Sequence, residues 1–145
     1  MGFSLTAAAA IIGVALVISI ELIVSTTIPT VTDVHDSYDK LRDRSIEQIQ
    51  TDINITSLTA KANLSNYDLN FTVKNTGSVT LNIDYFTVII DGNQSSFTCP
   101  TTYLYPENTA DFTLLNLEGG VTARLKIVTN NGISDYYEYA VPWGW

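Results

Sequence analysis

Residues 67–74 have the sequence YDLNFTVK, in which apolar and polar side chains alternate along the whole stretch. Successive side chains of a β-strand point to opposite faces, so this alternation predicts a strand with one buried face. The same period of two recurs in residues 53–56, 79–85, 112–117, 121–128 and 133–141. The deciding stretch therefore belongs to a domain built from strands.

Turn residues separate these strands, at Asn75-Thr76-Gly77, Asp91-Gly92, Gly119-Gly120 and Asn130-Asn131-Gly132. Asn, Asp and Gly accept the backbone angles of tight turns. Short strands at this spacing, with no helices between them, predict an all-β fold, namely an immunoglobulin-like antiparallel β-sandwich over residues 52–145. The alternation changes phase between Tyr85 and Phe86, which predicts a bulge or a corner, and Phe97 with Cys99 predicts another short strand.

The N-terminal segment is almost wholly apolar over residues 3–24, with Glu21 near its far edge. About 20 residues, at about 1.5 Å each, cross a hydrocarbon core about 30 Å thick. We therefore interpret residues 1–28 as a transmembrane helix, in preference to a cleaved signal peptide with a basic start and a shorter apolar core. Ala9 and Gly13 lie four positions apart, and this spacing of small residues predicts a face for helix self-association.

A second, amphipathic helix is predicted over residues 29–51, beginning at Pro29. Val31, Val34, Tyr38 and Leu41 are spaced by three and four residues, as on one face of a helix, and charged residues fill the other positions. This juxtamembrane stalk can pack against a second copy, which predicts a homodimer, or against the domain that follows. The sequence leaves both alternatives open.

Composition excludes several classes of function. The chain has 145 residues and a formal net charge of −8, and its seven Lys and Arg do not supply a nucleic-acid surface. With one Cys and one His, we predict no metal site and no cofactor, and the acids around His35 are interpreted as a solvated helix face. Cys99 is predicted to be a small buried residue, and the pair Asp135 and Glu138 is ordinary in an acidic domain. We predict that the protein is not an enzyme.

Four N-x-[ST] sequons occur, and they predict N-glycosylation at Asn54, Asn63, Asn70 and Asn93 if the domain is translocated. Three basic residues of the stalk argue for a cytoplasmic domain, but acidic residues are interleaved with them. We therefore predict a single-pass protein of the cytoplasmic membrane, with the N-terminus inside and the β-domain outside.

The C-terminal segment is rich in aromatic residues: Tyr136, Tyr137, Tyr139, Trp143 and Trp145. This segment is either an exposed binding surface or a last strand whose end is tucked against the domain. An exposed aromatic surface would suit a generic extracellular ligand-binding receptor, which is one alternative function.

The order of these features resembles a known family. Met1-Gly2-Phe3-Ser4 runs into the apolar helix, an acidic stalk follows, and then come LNFTVKNTGSVTL at residues 69–81 and VIIDG at residues 88–92. This order resembles the FlaF (ArlF) family of archaellum accessory proteins. The resemblance implies a stator-like component at the archaellum base, whose β-sandwich in the archaeal pseudoperiplasm binds the surface-layer protein and anchors the rotary motor. It also implies dimerisation and neighbours such as FlaG.

Two related alternatives share this architecture, a FlaG-like component and an archaellin-like or pilin-like filament subunit. Filament subunits begin with a basic leader and often carry a Glu early in the apolar helix. Here the first acidic residue is Glu21 and no Lys or Arg precedes the helix. The expectation from sequence is therefore an accessory anchor rather than a polymerising subunit.

Overall fold

The computed structural model describes residues 2–142, and the chain divides into two compact units, Met1–Asp43 and Arg44–Trp145. One helix, α1, spans Gly2–Gln50 and contains Pro29. Its apolar part is long enough to cross a membrane. The helix is continuous past Pro29, so no break marks the limit between residues 1–28 and 29–51, and the predicted domain boundaries stay predictions.

Strands make up the rest of the described chain. They are β1 (Ile53–Asn63), β2 (Asn66–Asn75), β3 (Leu81–Asn82), β4 (Thr87–Ile90), β5 (Asn93–Ser95), β6 (Tyr103–Leu104), β7 (Thr109–Leu117), β8 (Thr122–Val128) and β9 (Ser134–Ala140). They pair antiparallel in a three-stranded sheet β1-β2-β7, a four-stranded sheet β5-β4-β8-β9 and a small pair β3-β6.

The core lies between the inward faces of these sheets. In β2, Leu69, Phe71 and Val73 are buried while the residues between them are not, as the alternation predicts. The ring of Phe112 stacks on Phe71, with centroids 5.1 Å apart, and on Phe86 at 6.1 Å. Burying one such side chain contributes about 1.5–3 kcal/mol, so this shared cluster holds the domain together.

The phase change near Tyr85 has a different cause from the predicted bulge or corner. Residues Ile83–Tyr85 form one turn of 3₁₀-helix, because the Asn82 side chain accepts a hydrogen bond from the Asp84 N–H at 3.0 Å and caps the turn. The strand predicted for residues 79–85 therefore shortens to Leu81–Asn82. Register shifts occur elsewhere in the described strands: between Ile55 and Ser57 where β1 pairs with β2, and between Tyr67 and Leu69 where β2 pairs with β7.

The short strand predicted at Phe97 and Cys99 is also absent from the named strands. Thr98 instead makes an isolated bridge with Thr113, with two backbone hydrogen bonds of 2.8 and 2.9 Å. Phe97 packs on the Phe112 ring with centroids 5.3 Å apart, and Cys99 is half-buried rather than buried. The alternation there reflects packing against β7 without a regular ladder.

The coarse fold prediction is confirmed: an apolar N-terminal helix precedes antiparallel sheets. The immunoglobulin-like arrangement stays a prediction. In the C-terminal segment Tyr139 is buried, whereas Tyr136 and Tyr137 are exposed, so the last strand carries both kinds of aromatic residue. Trp143 and Trp145 lie outside the described residues.

Candidate functional site

The surface of α1 is the largest apolar surface that the structure describes. No residue of this helix is buried within the chain. Its large apolar side chains are exposed along nearly the whole length, from Phe3 at 92% to Ile49 at 84%. Such a surface is stable only against lipid or other protein, so this helix needs a partner outside its own chain.

The apolar surface continues beyond the length that a bilayer covers. Forty-nine residues at about 1.5 Å each extend about 74 Å, against about 30 Å for the hydrocarbon core. Val34, Tyr38 and Leu41 lie in the second half of α1 and are 62–70% exposed. Lipid alone therefore does not account for the whole apolar stripe.

The opposite side of the same helical segment is charged. Asp36 and Asp43 each follow a stripe residue, Val34 or Leu41, by two positions, which is about 200° around the helix axis. Both side chains are exposed. Lys40, four positions after Asp36, lies on the same side, so the segment has one apolar face and one charged face that carries both signs.

The last turns of α1, within the unit Arg44–Trp145, are fixed to the strands by what we call the helix clamp, formed by residues 75–78 and 129–131. The N–H of Ser78 donates to the Gln50 carbonyl at 2.9 Å. The N–H groups of Thr76 and Gly77 both donate to the Asp52 carbonyl at 3.0 Å. The bond to Gln50 satisfies a carbonyl group that the helix end leaves unpaired, and the two bonds to Asp52 hold the backbone between α1 and β1.

The helix clamp requires glycine at position 77, because the backbone at the end of α1 lies too close to leave room for a Cβ atom. A Cβ atom at this position would lie 2.5 Å from the Asp52 nitrogen and closer still to the Gln50 carbonyl oxygen. Both neighbours are backbone atoms, so a larger residue would force the loop away from the helix end.

Asn75 holds the same loop from inside. Its side chain is fully buried; it donates to the carbonyls of Val79 at 2.8 Å and Leu104 at 3.0 Å and accepts from the Gly77 N–H at 3.0 Å. The Asn75-Thr76-Gly77 sequence, which carries part of the family resemblance, therefore has a structural role in attaching helix to sheet.

A second loop completes the helix clamp from the other sheet. The Gln48 amide donates to the Asn131 carbonyl at 2.8 Å, and the Asn131 amide donates to the Thr51 hydroxyl at 2.6 Å. Thr129 is buried and donates to the Asn131 side chain at 2.5 Å. The helix end is thus held by side chains from residues that sequence alone placed in a turn.

The predicted glycosylation asparagines are all exposed. Asn54 and Asn70 lie on the outer face of the three-stranded sheet, Asn63 ends β1 and Asn93 begins β5. The Asn63 amide donates to the Asp68 carboxylate at 3.2 Å. Their use as glycosylation sites stays a prediction.

The predicted association face at Ala9 and Gly13 is exposed, and a Cβ at Gly13 would meet no atom within 4 Å. Self-association through these residues stays a prediction. In the metal-site alternative, His35 lies 3.6 Å from Asp39 on the exposed helix. Within residues 2–142 no group of three His, Cys, Asp or Glu side chains could hold a metal ion.

Two basic residues and one aromatic residue form a cluster on the outer face of the four-stranded sheet, which the sequence analysis did not predict. The Arg124 guanidinium lies 4.5 Å, and the Lys126 ammonium 5.0 Å, from the centre of the Tyr136 ring. The Lys126 ammonium beside Tyr136 lowers the pKa of that tyrosine. The cluster forms because Lys126 and Tyr136 are directly opposite each other in the pairing of β8 with β9. In the sequence, only the outward-facing basic residues of β8 pointed to it.

Inside the domain, two tyrosines form a buried polar pair. The hydroxyl groups of Tyr67 and Tyr139 are 2.8 Å apart, and their rings meet edge to face. Burial raises the pKa of Tyr139 above its usual value, and the hydrogen bond with Tyr67 raises that pKa further. This pair joins β2 to β9 and therefore one large sheet to the other.

Three comparisons with known proteins bear on this arrangement. A family model described as archaeal-type flagellin matches residues 2–141. The structure of the archaeal flagellum of Methanospirillum hungatei strain JF1 is similar over 94% of this chain and 93% of that chain, with a TM-score of 0.73 and 18% identity. An uncharacterized protein of Archaeoglobus fulgidus is 29% identical over 112 residues, which are 75% of this chain and 67% of that protein.

The fold and the unburied helix define a class of proteins that anchor or assemble through an N-terminal apolar helix and carry a β-domain. Because the family model spans nearly the whole chain, the chain belongs to the archaeal-type flagellin family. That family consists of structural filament subunits, so the prediction that the protein is not an enzyme is confirmed. The likeness to the Methanospirillum hungatei structure, at 18% identity, shows the shared fold.

The predicted relationship to archaellum proteins is confirmed. The predicted membership of the FlaF family of accessory proteins is not. The comparisons favour the filament-subunit alternative over the stator-like anchor. The motif behind the accessory assignment includes Asn75 and Gly77, and both serve the helix clamp. A residue that joins a helix to a sheet is useful in anchors and filament subunits alike, so it does not discriminate between them.

Proposed function

We propose that this chain is an archaellin-like structural subunit, which assembles with further copies into an archaellum-type filament. Before assembly the apolar part of α1 lies in the cytoplasmic membrane, with the β-domain outside. On assembly the helices leave the lipid and pack against each other, and the β-domains surround them.

The observation that carries this proposal is the extent of the apolar stripe. Val34, Tyr38 and Leu41 lie beyond the residues that a bilayer covers, are exposed within the chain, and have the spacing of a helix-packing face. A lone membrane anchor would leave this surface in water, whereas a bundle of parallel copies buries it. Membership of the flagellin family supports the same conclusion.

The experiment is to locate the chain along the filament. An epitope tag in the loop at Gly120, where a Cβ would meet no atom within 4 Å and no left-handed backbone is required, should be displayed on the domain surface. We expect immunogold labelling along the full length of filaments sheared from the cells that produce the protein. Label confined to the cell envelope would contradict a subunit role.

A second candidate is the accessory anchor, which binds the surface-layer protein as a dimer beside a FlaG-like component and holds the motor. The absence of an acidic residue between Gly2 and Ile20 favours it, because filament subunits often carry an early Glu. The same labelling experiment distinguishes the two functions, since an anchor would be labelled at the filament base and would co-purify with the surface layer.

A further inference from the structure

The helix clamp ends in Asn131, which is followed directly by Gly132, and no other asparagine of the chain is followed by glycine. In such a pair the backbone nitrogen of the glycine can attack the side-chain carbonyl carbon of the asparagine, because glycine has no Cβ to hinder the approach. Gly132 has a φ of 88°, so the tight turn between β8 and β9 favours glycine here. A chemically labile residue therefore lies where the clamp holds the helix end.

The closed clamp keeps the reacting groups engaged in hydrogen bonds. The Gly132 N–H donates to the Thr129 carbonyl at 3.1 Å, so the glycine nitrogen is not free to lose its proton. The Asn131 side chain is bonded at both polar atoms, because Nδ2 donates to the Thr51 hydroxyl at 2.6 Å and Oδ1 accepts from the Thr129 hydroxyl at 2.5 Å. Attack on the Asn131 Cγ requires these bonds to break, so the reaction needs local opening of the clamp.

The surroundings of Asn131 admit the water that the reaction needs. Asn131 lines a depression of about 420 Å³ together with Asn130 and three residues from the last turns of α1, namely Arg44, Glu47 and Gln48. Arg44, Gln48 and Asn130 are exposed, so the depression is open to solvent, and Asn131 itself is half-buried. Water therefore reaches the Asn131 side chain once its hydrogen bonds break.

We propose that Asn131 is a self-modifying residue of the helix clamp, which deamidates when the clamp opens and then prevents it from closing as before. The Gly132 backbone nitrogen attacks the Asn131 Cγ and loses its proton, Nδ2 leaves as ammonia, and a cyclic succinimide forms. Water then opens one of the two ring carbonyls and gives aspartate or isoaspartate. No electrons are transferred, and solvent water is the one co-reactant.

Either product removes hydrogen bonds of the clamp. An aspartate at position 131 has no N–H to donate to the Thr51 hydroxyl, whose own hydrogen goes to the Glu47 carbonyl at 2.8 Å. In isoaspartate the main chain runs through Cβ and Cγ, and the carbonyl that accepts from Gln48 becomes part of a free carboxylate. The modified loop holds the last turns of α1 less firmly, so one opening event leaves a permanent change. This inference is independent of the proposed function, since it applies to a filament subunit and to an anchor alike.

The first test compares the rate of deamidation at Asn131 in the full chain, folded in detergent and unfolded in urea, by peptide mass spectrometry. We expect the folded chain to react at least about tenfold more slowly, because reaction waits for the clamp to open. Gln48→Ala and Thr51→Val each remove one partner of Asn131 and should speed the reaction of the folded chain severalfold. Thr56→Val is the matched control, because the Thr56 hydroxyl donates to the Thr72 carbonyl, outside the clamp, and its loss should leave the rate unchanged.

Two outcomes of this test would overturn the inference. One is an equal rate in the folded and the unfolded chain. The other is a Gln48→Ala variant that is folded by near-ultraviolet circular dichroism and reacts no faster than Thr56→Val. Gln48 is exposed, so Gln48→Ala keeps the test decisive if Thr51→Val does not fold.

The second test measures what the modification does to the clamp. Asn131→Asp places the deamidated side chain in every molecule and should lower the Tm of the domain by about 4–8 °C, the shift expected for one lost hydrogen bond in a domain of this size. Asn130→Asp is the matched control, because it makes the same change of charge at an exposed neighbouring residue and should leave the Tm unchanged. Equal Tm values for the two variants would mean that the clamp closes normally over the modified residue, and the inference would be wrong.

Discussion

Gly77→Ala is the sharpest test of the helix clamp. The new Cβ would lie 2.5 Å from the Asp52 nitrogen, whereas ordinary contact begins at 3.4 Å, so the loop or the helix end must move by about 0.9 Å (3.4 − 2.5). That movement affects three hydrogen bonds, from Thr76 and Gly77 to Asp52 and from Ser78 to Gln50. Backbone on both sides of the overlap leaves no side chain that can rotate away.

The expected loss of stability follows from these contacts. Overpacking costs about 1–3 kcal/mol, and each weakened hydrogen bond costs up to about 0.5–1.5 kcal/mol. We expect the free energy of unfolding to fall by about 3 kcal/mol. For a domain of about 100 residues this lowers Tm by about 12–24 °C, at about 4–8 °C for each kcal/mol.

The assay is thermal unfolding of the full chain in detergent, followed by near-ultraviolet circular dichroism of the tyrosines in the domain. Gly120→Ala is the matched control, because its Cβ would meet no atom within 4 Å and Gly120 does not need a left-handed backbone. A Gly77→Ala variant whose Tm lies within about 2 °C of the Tm of the Gly120→Ala variant would refute the reasoning. Neutral surface substitutions alone change the free energy of unfolding by about 0.5 kcal/mol.

Three further changes should separate packing in the domain from assembly through the helix. Asn75→Ala should lower the free energy of unfolding by about 2–4 kcal/mol, measured by urea titration, because it leaves the buried Leu104 carbonyl without its side-chain donor. Tyr139→Phe should cost about 1–2 kcal/mol in the same titration, because the Tyr67 hydroxyl loses its partner, and the double Phe variant should cost less than the sum. Leu41→Asp should abolish filaments and leave domain unfolding unchanged, because Leu41 is exposed within the chain.

The controls for these variants come from nearby exposed positions. Asn70→Ala, on the outer face of β2, should leave the urea midpoint unchanged, and Lys40→Asp, on the side of the helix opposite the stripe, should leave filaments intact. Equal loss of filaments for Leu41→Asp and Lys40→Asp would contradict an apolar packing face. A strictly additive Tyr67 and Tyr139 double variant would contradict the hydroxyl pair.

The tyrosine pair also gives the domain a dependence on alkaline pH. The pKa of Tyr139 is raised in the folded state, whereas an unfolded tyrosine ionises near about pH 10. The contribution of Tyr139 to stability is therefore fully present below about pH 10 and is lost as pH rises above it, because the unfolded state gives up its proton first. Thermal unfolding between neutral pH and about pH 11 should show this loss, and Tyr139→Phe should reduce it.

Local patterns in the sequence determined the kinds of elements and much of the core. The period of two placed Leu69, Phe71 and Val73 inward, because a strand with one buried face must alternate. The uncharged, apolar segment that follows Met1 likewise predicted an apolar helix, because its length and composition suit a membrane-spanning helix. These features depend on neighbours in the chain, which a sequence displays directly.

The tertiary structure alone decided which distant residues meet. Gly77 contacts Gln50, Asn131 contacts Thr51, and Tyr67 contacts Tyr139, and each contact depends on how the sheets and the helix end come together. The cation cluster at Tyr136 likewise depends on the register of β8 with β9. A one-residue slip in register would turn Tyr136 to the other face of its sheet, and no local pattern in the sequence fixes that choice.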